Sequence, residues 1–161
     1  MENKQEFIQI IKANEGLIQK ITKVYTYYKQ DAEDLHQEII YQLWKSFPSF
    51  RHASKVSTWM YRVALNTSIS YLNKEKNNRN QDSLNESHFN RPEITDTSSE
   101  DRFKTLYEQI RSLNTIDKGI ILLYLEGNSY EDIAIITGFT ESNVGTRLGR
   151  IKQKLITQIN H

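Results

Sequence analysis

Three observations predict an all-α fold in two small helical domains. Apolar residues recur at helical spacing along most of the chain, only two prolines and six glycines interrupt its 161 residues, and one central stretch lacks the large apolar side chains a core needs. No strand-like alternation and no tandem repeat competes with that reading. The length allows one domain or two small ones. Charge favours two: residues 1–80 carry 12 Lys or Arg against 8 Asp or Glu, residues 81–110 carry 3 against 7, and the rest 6 against 5.

Helices are expected over Glu2 to Ala13 and Glu15 to Thr26. A third runs from Asp31 to Phe47, with Asp31 as cap, Pro48 as the stop, and Leu35, Ile39, Leu43 and Trp44 as the buried stripe. A polar, basic loop from Phe50 to Ser57 then leads into a long helix over Thr58 to Asn77, whose buried face uses Met60, Val63, Ala64 and Thr67. From Arg79 to Ser99 the chain turns to Asn, Gln, Ser, Asp, Glu and Thr and cannot bury enough surface to fold. Residues 80–98 are therefore expected to be a flexible acidic linker between domains at 1–79 and 99–161.

Helices resume over Glu100 to Leu113 and Ile116 to Glu126. Gly127-Asn128 stops the second, and Ser129 with Asp132 three residues on resembles a capping box that starts the next. Gly138 supplies the turn, Thr140 caps the following helix, and Ala134 is small enough for the two to cross closely. This is a helix-turn-helix pattern, whose second helix is suited to the DNA major groove.

From Val144 to Ile159 the charged residues are Arg147, Arg150, Lys152 and Lys154, with no acid among them. At about 100° per residue, Val144, Leu148, Ile151 and Leu155 form a packing stripe, while Asn143, Arg147, Arg150 and Lys154 form another. Ser142 and Thr146 flank the second stripe. Cations for phosphates and guanine edges, an amide for adenine and hydroxyls for either make this a DNA-facing surface.

A second constellation spans Phe50 to Lys74. It interleaves Phe50, Trp59, Tyr61 and Tyr71 with Arg51, Lys55, Arg62, Asn66 and Lys74. Aromatic faces stack on unpaired bases and cations track phosphates, so the mixture suits melted or single-stranded nucleic acid. Trp59 serves equally well as a core residue, whereas Phe50 in its polar loop is the better base contact.

The step Glu33-x-x-His36 is like those of di-iron helix bundles, but no second such step occurs to complete a site. Asp34, Gln37 and Glu38 instead read as an exposed face for a basic partner. Zero cysteines exclude disulfides and thiolate metal sites, and the first twenty residues lack the apolar run of a signal peptide or membrane span. A soluble, cytoplasmic protein without membrane insertion is expected. With no nucleophile and base pair, phosphate-binding glycine loop or paired carboxylates, no catalytic residue, metal or cofactor is expected.

The motifs Asp31-Ala32-Glu33-Asp34-Leu35-His36-Gln37-Glu38, Ser49-Phe50-Arg51, Ser57-Thr58-Trp59-Met60-Tyr61-Arg62-Val63-Ala64-Leu65-Asn66-Thr67 and Leu125-Glu126-Gly127-Asn128-Ser129-Tyr130-Glu131-Asp132-Ile133-Ala134 occur in a distinctive order. Over nearly its whole length the chain resembles the extracytoplasmic-function sigma factors of bacteria. The resemblance implies docking of Asp34, Gln37 and Glu38 on the beta-prime clamp helices of core RNA polymerase, and contact of the second domain with the beta flap. It implies capture of an unstacked minus-ten base by Phe50, Arg51, Lys55, Trp59, Arg62 and Asn66. Reading of the minus-thirty-five element falls to Ser142, Asn143, Thr146, Arg147, Arg150 and Lys154. The partners implied are core polymerase, promoter DNA both duplex and melted, and, as is common in the family, an anti-sigma factor.

Gly145 and Gly149 depart from the family, where larger or basic residues are frequent, and Leu113-Asn114-Thr115-Ile116-Asp117 replaces its common Leu-Pro-Glu. The competing readings are a dimeric helix-turn-helix regulator of duplex DNA, which leaves Phe50 to Asn66 unexplained, and a metal-dependent helical enzyme built on Glu33 and His36.

Overall fold

The structure, a computed structural model, describes residues 2–50, 55–81 and 101–159. The chain divides into two compact units, Met1–Ile94 and Thr95–His161. Every element among the described residues is helical.

The first unit contains α1 (Glu2–Ala13), α2 (Glu15–Tyr25), α3 (Lys29–Ser46) and α4 (Val56–Gln81), with a 3-10 turn at Phe47–Ser49. Asn14 separates α1 from α2 by turning its side chain back, Nδ2 donating to the Ile10 carbonyl at 2.8 Å and closing one open helix end. Its core joins Ile18, Ile21 and Val24 of α2, Leu35, Ile39 and Leu43 of α3, and Met60 and Ala64 of α4, all fully buried. Each large side chain among them contributes about 1.5–3 kcal/mol through burial. α2, α3 and α4 therefore pack mutually, each against the other two.

Three expectations are corrected here. The third helix starts at Lys29, and Asp31 is not its cap: it lies in the first turn and is buried. Trp44 is not in the buried stripe but 44% exposed, because Leu35, Ile39 and Leu43 already fill the arc facing α2 and α4. On α4, which begins two residues earlier than expected, Val63 and Thr67 are only half-buried, while Tyr61, Leu65 and Ser68 join Met60 and Ala64 inside. Ser68 enters the core at no polar cost because its hydroxyl donates to the Ala64 carbonyl at 2.8 Å.

The second unit contains α5 (Asp101–Arg111), α6 (Thr115–Leu125), α7 (Tyr130–Thr137) and α8 (Glu141–Ile159). α8 is its spine. Val144, Leu148, Ile151 and Leu155 are buried as the wheel predicts, against α5, α6 and α7. Buried Lys118 on α6 places Nζ 3.3 Å from the Arg111 carbonyl at the end of α5. Burial, followed by the nearby Arg111 charge, lowers its pKa. The expected linker lies outside the described residues from residue 82 to residue 98.

Candidate nucleic-acid interface

The turn between α7 and α8 forms for the reasons its sequence supplies. Ser129 Oγ accepts the Asp132 N–H at 3.1 Å, starting α7, and Gly138 ends it at φ +85, in the left-handed region. Thr140 Oγ1 then accepts the Asn143 N–H at 3.1 Å and starts α8. On α8 the side chains of Ser142, Asn143, Thr146, Arg150 and Lys154 are exposed, and Arg147 is half-buried.

That stripe is more constrained than a helical wheel can reveal. Arg147 Nε donates to Asn143 Oδ1 at 2.8 Å, Nη1 donates to Asp117 Oδ1 at 3.2 Å, and the guanidinium carbon lies 4.7 Å from the centre of the Phe139 ring. The Asn114 to Asp117 departure does more than start α6. Asn114 does cap α6, accepting the Asp117 N–H at 2.8 Å, but Asp117 also reaches the recognition helix. Gly145 faces the Tyr130 ring of α7, which lies 3.5 Å from where a Cβ would stand.

In the first unit, Phe50 does not stand free in a loop. It is half-buried, its ring stacked on Trp59 with centroids 4.7 Å apart and planes at 20°. Phe47 lies 5.9 Å from Trp59 and 5.4 Å from Phe7, extending one aromatic cluster from α4 to α1. Trp59 thus packs on both Phe47 and Phe50. Asn66 is exposed and follows Trp59 by seven residues, about two turns, so both lie on one face of α4 with exposed Arg62 between them. Lys55 is exposed, whereas Arg51 lies outside the described residues.

Asp34, Gln37 and Glu38 are all exposed on α3. The structure places Asp34 and Glu38 with Asn66, Ser70, Tyr71 and Lys74 along one groove of about 550 Å³ between α3 and α4. Two surfaces read separately in sequence therefore adjoin. The Tyr71 hydroxyl there is pushed well above its ordinary pKa by burial and then by Glu75, Asp31 and Asp34, so it remains a neutral donor.

On its other side α3 meets α1 in a largely apolar groove of about 620 Å³ lined by Phe7, Ile8, Ile40, Tyr41, Trp44 and Gln37. Tyr41 is 56% exposed and Trp44 44%. Tyr41 and Trp44 lie on α3 beyond Gln37 and outside the Leu35, Ile39 and Leu43 arc that fills the core. His36, from the supposed metal step, pairs with Glu15 of α2 at 2.5 Å, while Glu33 is exposed. No metal-holding cluster is present among the described residues.

Comparison with known proteins gives this geometry its context. The family described as Sigma-70 region 2 matches residues 10–78, and that described as Sigma-70, region 4 matches residues 103–155. The ECF RNA polymerase sigma-E factor of Haemophilus influenzae is 33% identical over 157 residues, covering 87% of this chain and 82% of the relative. The chain belongs to the extracytoplasmic-function sigma factors.

This sigma factor is also 30% identical over 138 residues to RNA polymerase sigma factor SigV of Bacillus subtilis, covering 84% of this chain and 80% of that one. Its fold is shared with the sigma factor RpoE of Bartonella quintana, solved with the anti-sigma factor NepR, at a TM-score of 0.72 and 20% identity over 98% of this chain and 96% of that one. CnrH, solved with the cytosolic domain of CnrY, gives a TM-score of 0.69 at 16% identity, covering 98% and 89%. As a member of the family, the protein binds core RNA polymerase and directs it to promoter DNA for transcription initiation. That function sets aside the reading as a dimeric regulator of duplex DNA. No helix among the described residues is long and apolar enough to cross a membrane.

Proposed function

We propose that the two units divide promoter recognition between melted and duplex DNA, and that the protein does so in the cytoplasm without catalysis of its own. The observation that carries this reading is the Phe50–Trp59 stack, two helical turns from Asn66 on the same face of α4. An unpaired minus-ten base stacks on this aromatic pair, Asn66 supplies an amide to its edge, and Arg51, Lys55 and Arg62 follow the phosphates. Stacking worth about 1–3 kcal/mol per base offsets the cost of opening the duplex.

Asp34, Gln37 and Glu38 dock on the beta-prime clamp helices, and the surface extends over Tyr41 and Trp44. Exposed aromatic rings beside carboxylates suit a partner with basic and apolar groups. The groove between α3 and α4 then joins polymerase docking to strand capture. The second unit, bounded in our reading by residues 99–161, reads the minus-thirty-five element through Ser142, Asn143, Thr146, Arg147, Arg150 and Lys154 and contacts the beta flap. The segment 80–98 tethers it to the unit at 1–79. The solved RpoE structure named above holds the anti-sigma factor NepR, which supports an anti-sigma factor as a partner here.

Reconstitution of the purified protein with core polymerase on a promoter library tests the reading. Promoter-specific transcripts that depend on the protein are expected, and their absence would sink it. Phe50→Ala and Asn66→Ala should impair open-complex formation more than duplex binding, and equal loss of both would remove the assigned roles.

A further inference from the structure

The guanidinium of Arg147 is held by three groups before any DNA is present. Besides Asn143 of its own helix, it engages Asp117 from α6 and the face of Phe139. Asp117 is itself fixed, its N–H donating to Asn114 Oδ1 at 2.8 Å and its Oδ2 accepting from Asn114 Nδ2 at 2.9 Å. The Arg147 and Asp117 side chains are 30% and 21% exposed, so water only partly screens the pair. Arg150 and Lys154, on the same stripe, are exposed and show no such tie among the described residues.

We propose that Asp117 is a positioning residue for upstream promoter reading: by holding Arg147, and through it the Asn143 amide, it fixes the donor arrangement that the recognition helix presents. This rests on the assignment of Arg147 and Asn143 to the base-reading face. An arginine loose in solvent reaches any phosphate or acceptor edge and is ordered only on binding, at an entropic cost. Here two of the five guanidinium N–H donors are used internally and three remain for DNA. Asn143, whose oxygen is engaged by Nε, is turned so that its NH₂ remains to donate. A carboxylate 3.2 Å from the reading cation also repels phosphates. Asp117 thereby weakens sequence-independent binding while sharpening discrimination, which is how a specificity residue differs from an affinity residue.

The test uses the full-length protein with core polymerase and a promoter library carrying every base pair at each upstream position. Arg147→Ala identifies the position read by Arg147, as the one whose preference it loses. Asp117→Ala is expected to lower preference at that same position by about three-fold or more. Binding to unrelated duplex should become stronger and more steeply salt-dependent. Asp117→Asn, which keeps an acceptor oxygen for Nη1 but no charge, should recover part of the preference, and adding Asp117→Ala to Arg147→Ala should change nothing further at that position.

Unchanged preference in Asp117→Ala, or a loss spread evenly over all positions, would overturn the proposal. If Asp117→Ala fails to fold, Asp117→Asn decides: wild-type preference together with wild-type binding to unrelated duplex would overturn it. If Arg147→Ala leaves every preference intact, the reading face itself is wrong and the role of Asp117 goes with it. That result is distinct from one in which Arg147 matters and Asp117 does not.

Discussion

Phe50 and Trp59 form a stacked pair, 4.7 Å between ring centroids, that ties the end of the 3-10 turn to the start of α4. Phe50 is therefore held in place, with one ring face occupied by indole. The two residues should behave as one platform. Phe50→Ala is expected to weaken open complexes by about 1–3 kcal/mol, the value of one base stack. Trp59→Ala should do nearly as much and also lower the melting temperature, since Trp59 contacts Phe47 as well. Trp59→Phe should retain most promoter opening. Permanganate footprinting of the bubble, alongside thermal melts, checks both; wild-type opening in Trp59→Ala would dismiss the platform.

The helical frame was legible in the sequence because it depends on local signals. Ser129, Gly138 and Thr140 act on neighbours within four residues, and each takes the cap or turn role its residue type predicts. Trp44 was misread for the opposite reason. Its place on the wheel is near the buried stripe, yet whether a neighbour covers it depends on α1, which the wheel of α3 does not contain. Likewise the Asp117 to Arg147 contact spans thirty residues and two helix junctions. Periodicity carries no information about such a contact.

The glycines of the second unit make opposite predictions. Gly149 has nothing within 4 Å of a built Cβ, and a Cβ on Gly145 would meet only the Tyr130 ring, at 3.5 Å, an ordinary contact. Gly149→Ala should therefore stabilise α8 by about 1 kcal/mol from helix propensity. Gly145→Ala should gain a similar amount, while a residue larger than Ala must displace Tyr130. Gly138→Ala should cost about 1–2 kcal/mol, because its φ of +85 crowds any Cβ. Urea unfolding of the three variants checks the order, and a stabilising Gly138→Ala would contradict the turn geometry.

Alkaline pH should weaken the first unit. Burial raises the pKa of Tyr25 above its ordinary 10.0. The folded state therefore keeps a proton that the unfolded chain loses near pH 10. The stability linked to this group is fully present below pH 10 and is lost as pH rises beyond it towards the folded value. Melting temperatures of the wild type should fall between pH 9 and pH 11, approximately, and fall less steeply in Tyr25→Phe. Equal slopes would show that the buried hydroxyl is not the group responsible.

Trp44 and Tyr41 lie exposed on α3 beyond the carboxylate pair Asp34 and Glu38, and the apolar groove against α1 makes the neighbouring surface available to a partner. An exposed tryptophan that seats in a partner's pocket is commonly worth 2 kcal/mol or more, roughly, whereas a rim carboxylate mainly changes the association rate and its salt dependence. Trp44→Ala is thus expected to raise the dissociation rate from core polymerase, and Asp34→Asn or Glu38→Gln to slow association at low salt. Trp44 also touches Phe7, at 5.0 Å, so Trp44→Ala loses some packing. Tyr41→Ala provides the control, because Tyr41 is the more exposed of the two. Surface plasmon resonance against core polymerase at two salt concentrations separates the rates. Unchanged dissociation in both Trp44→Ala and Tyr41→Ala would confine docking to the Asp34, Gln37 and Glu38 face.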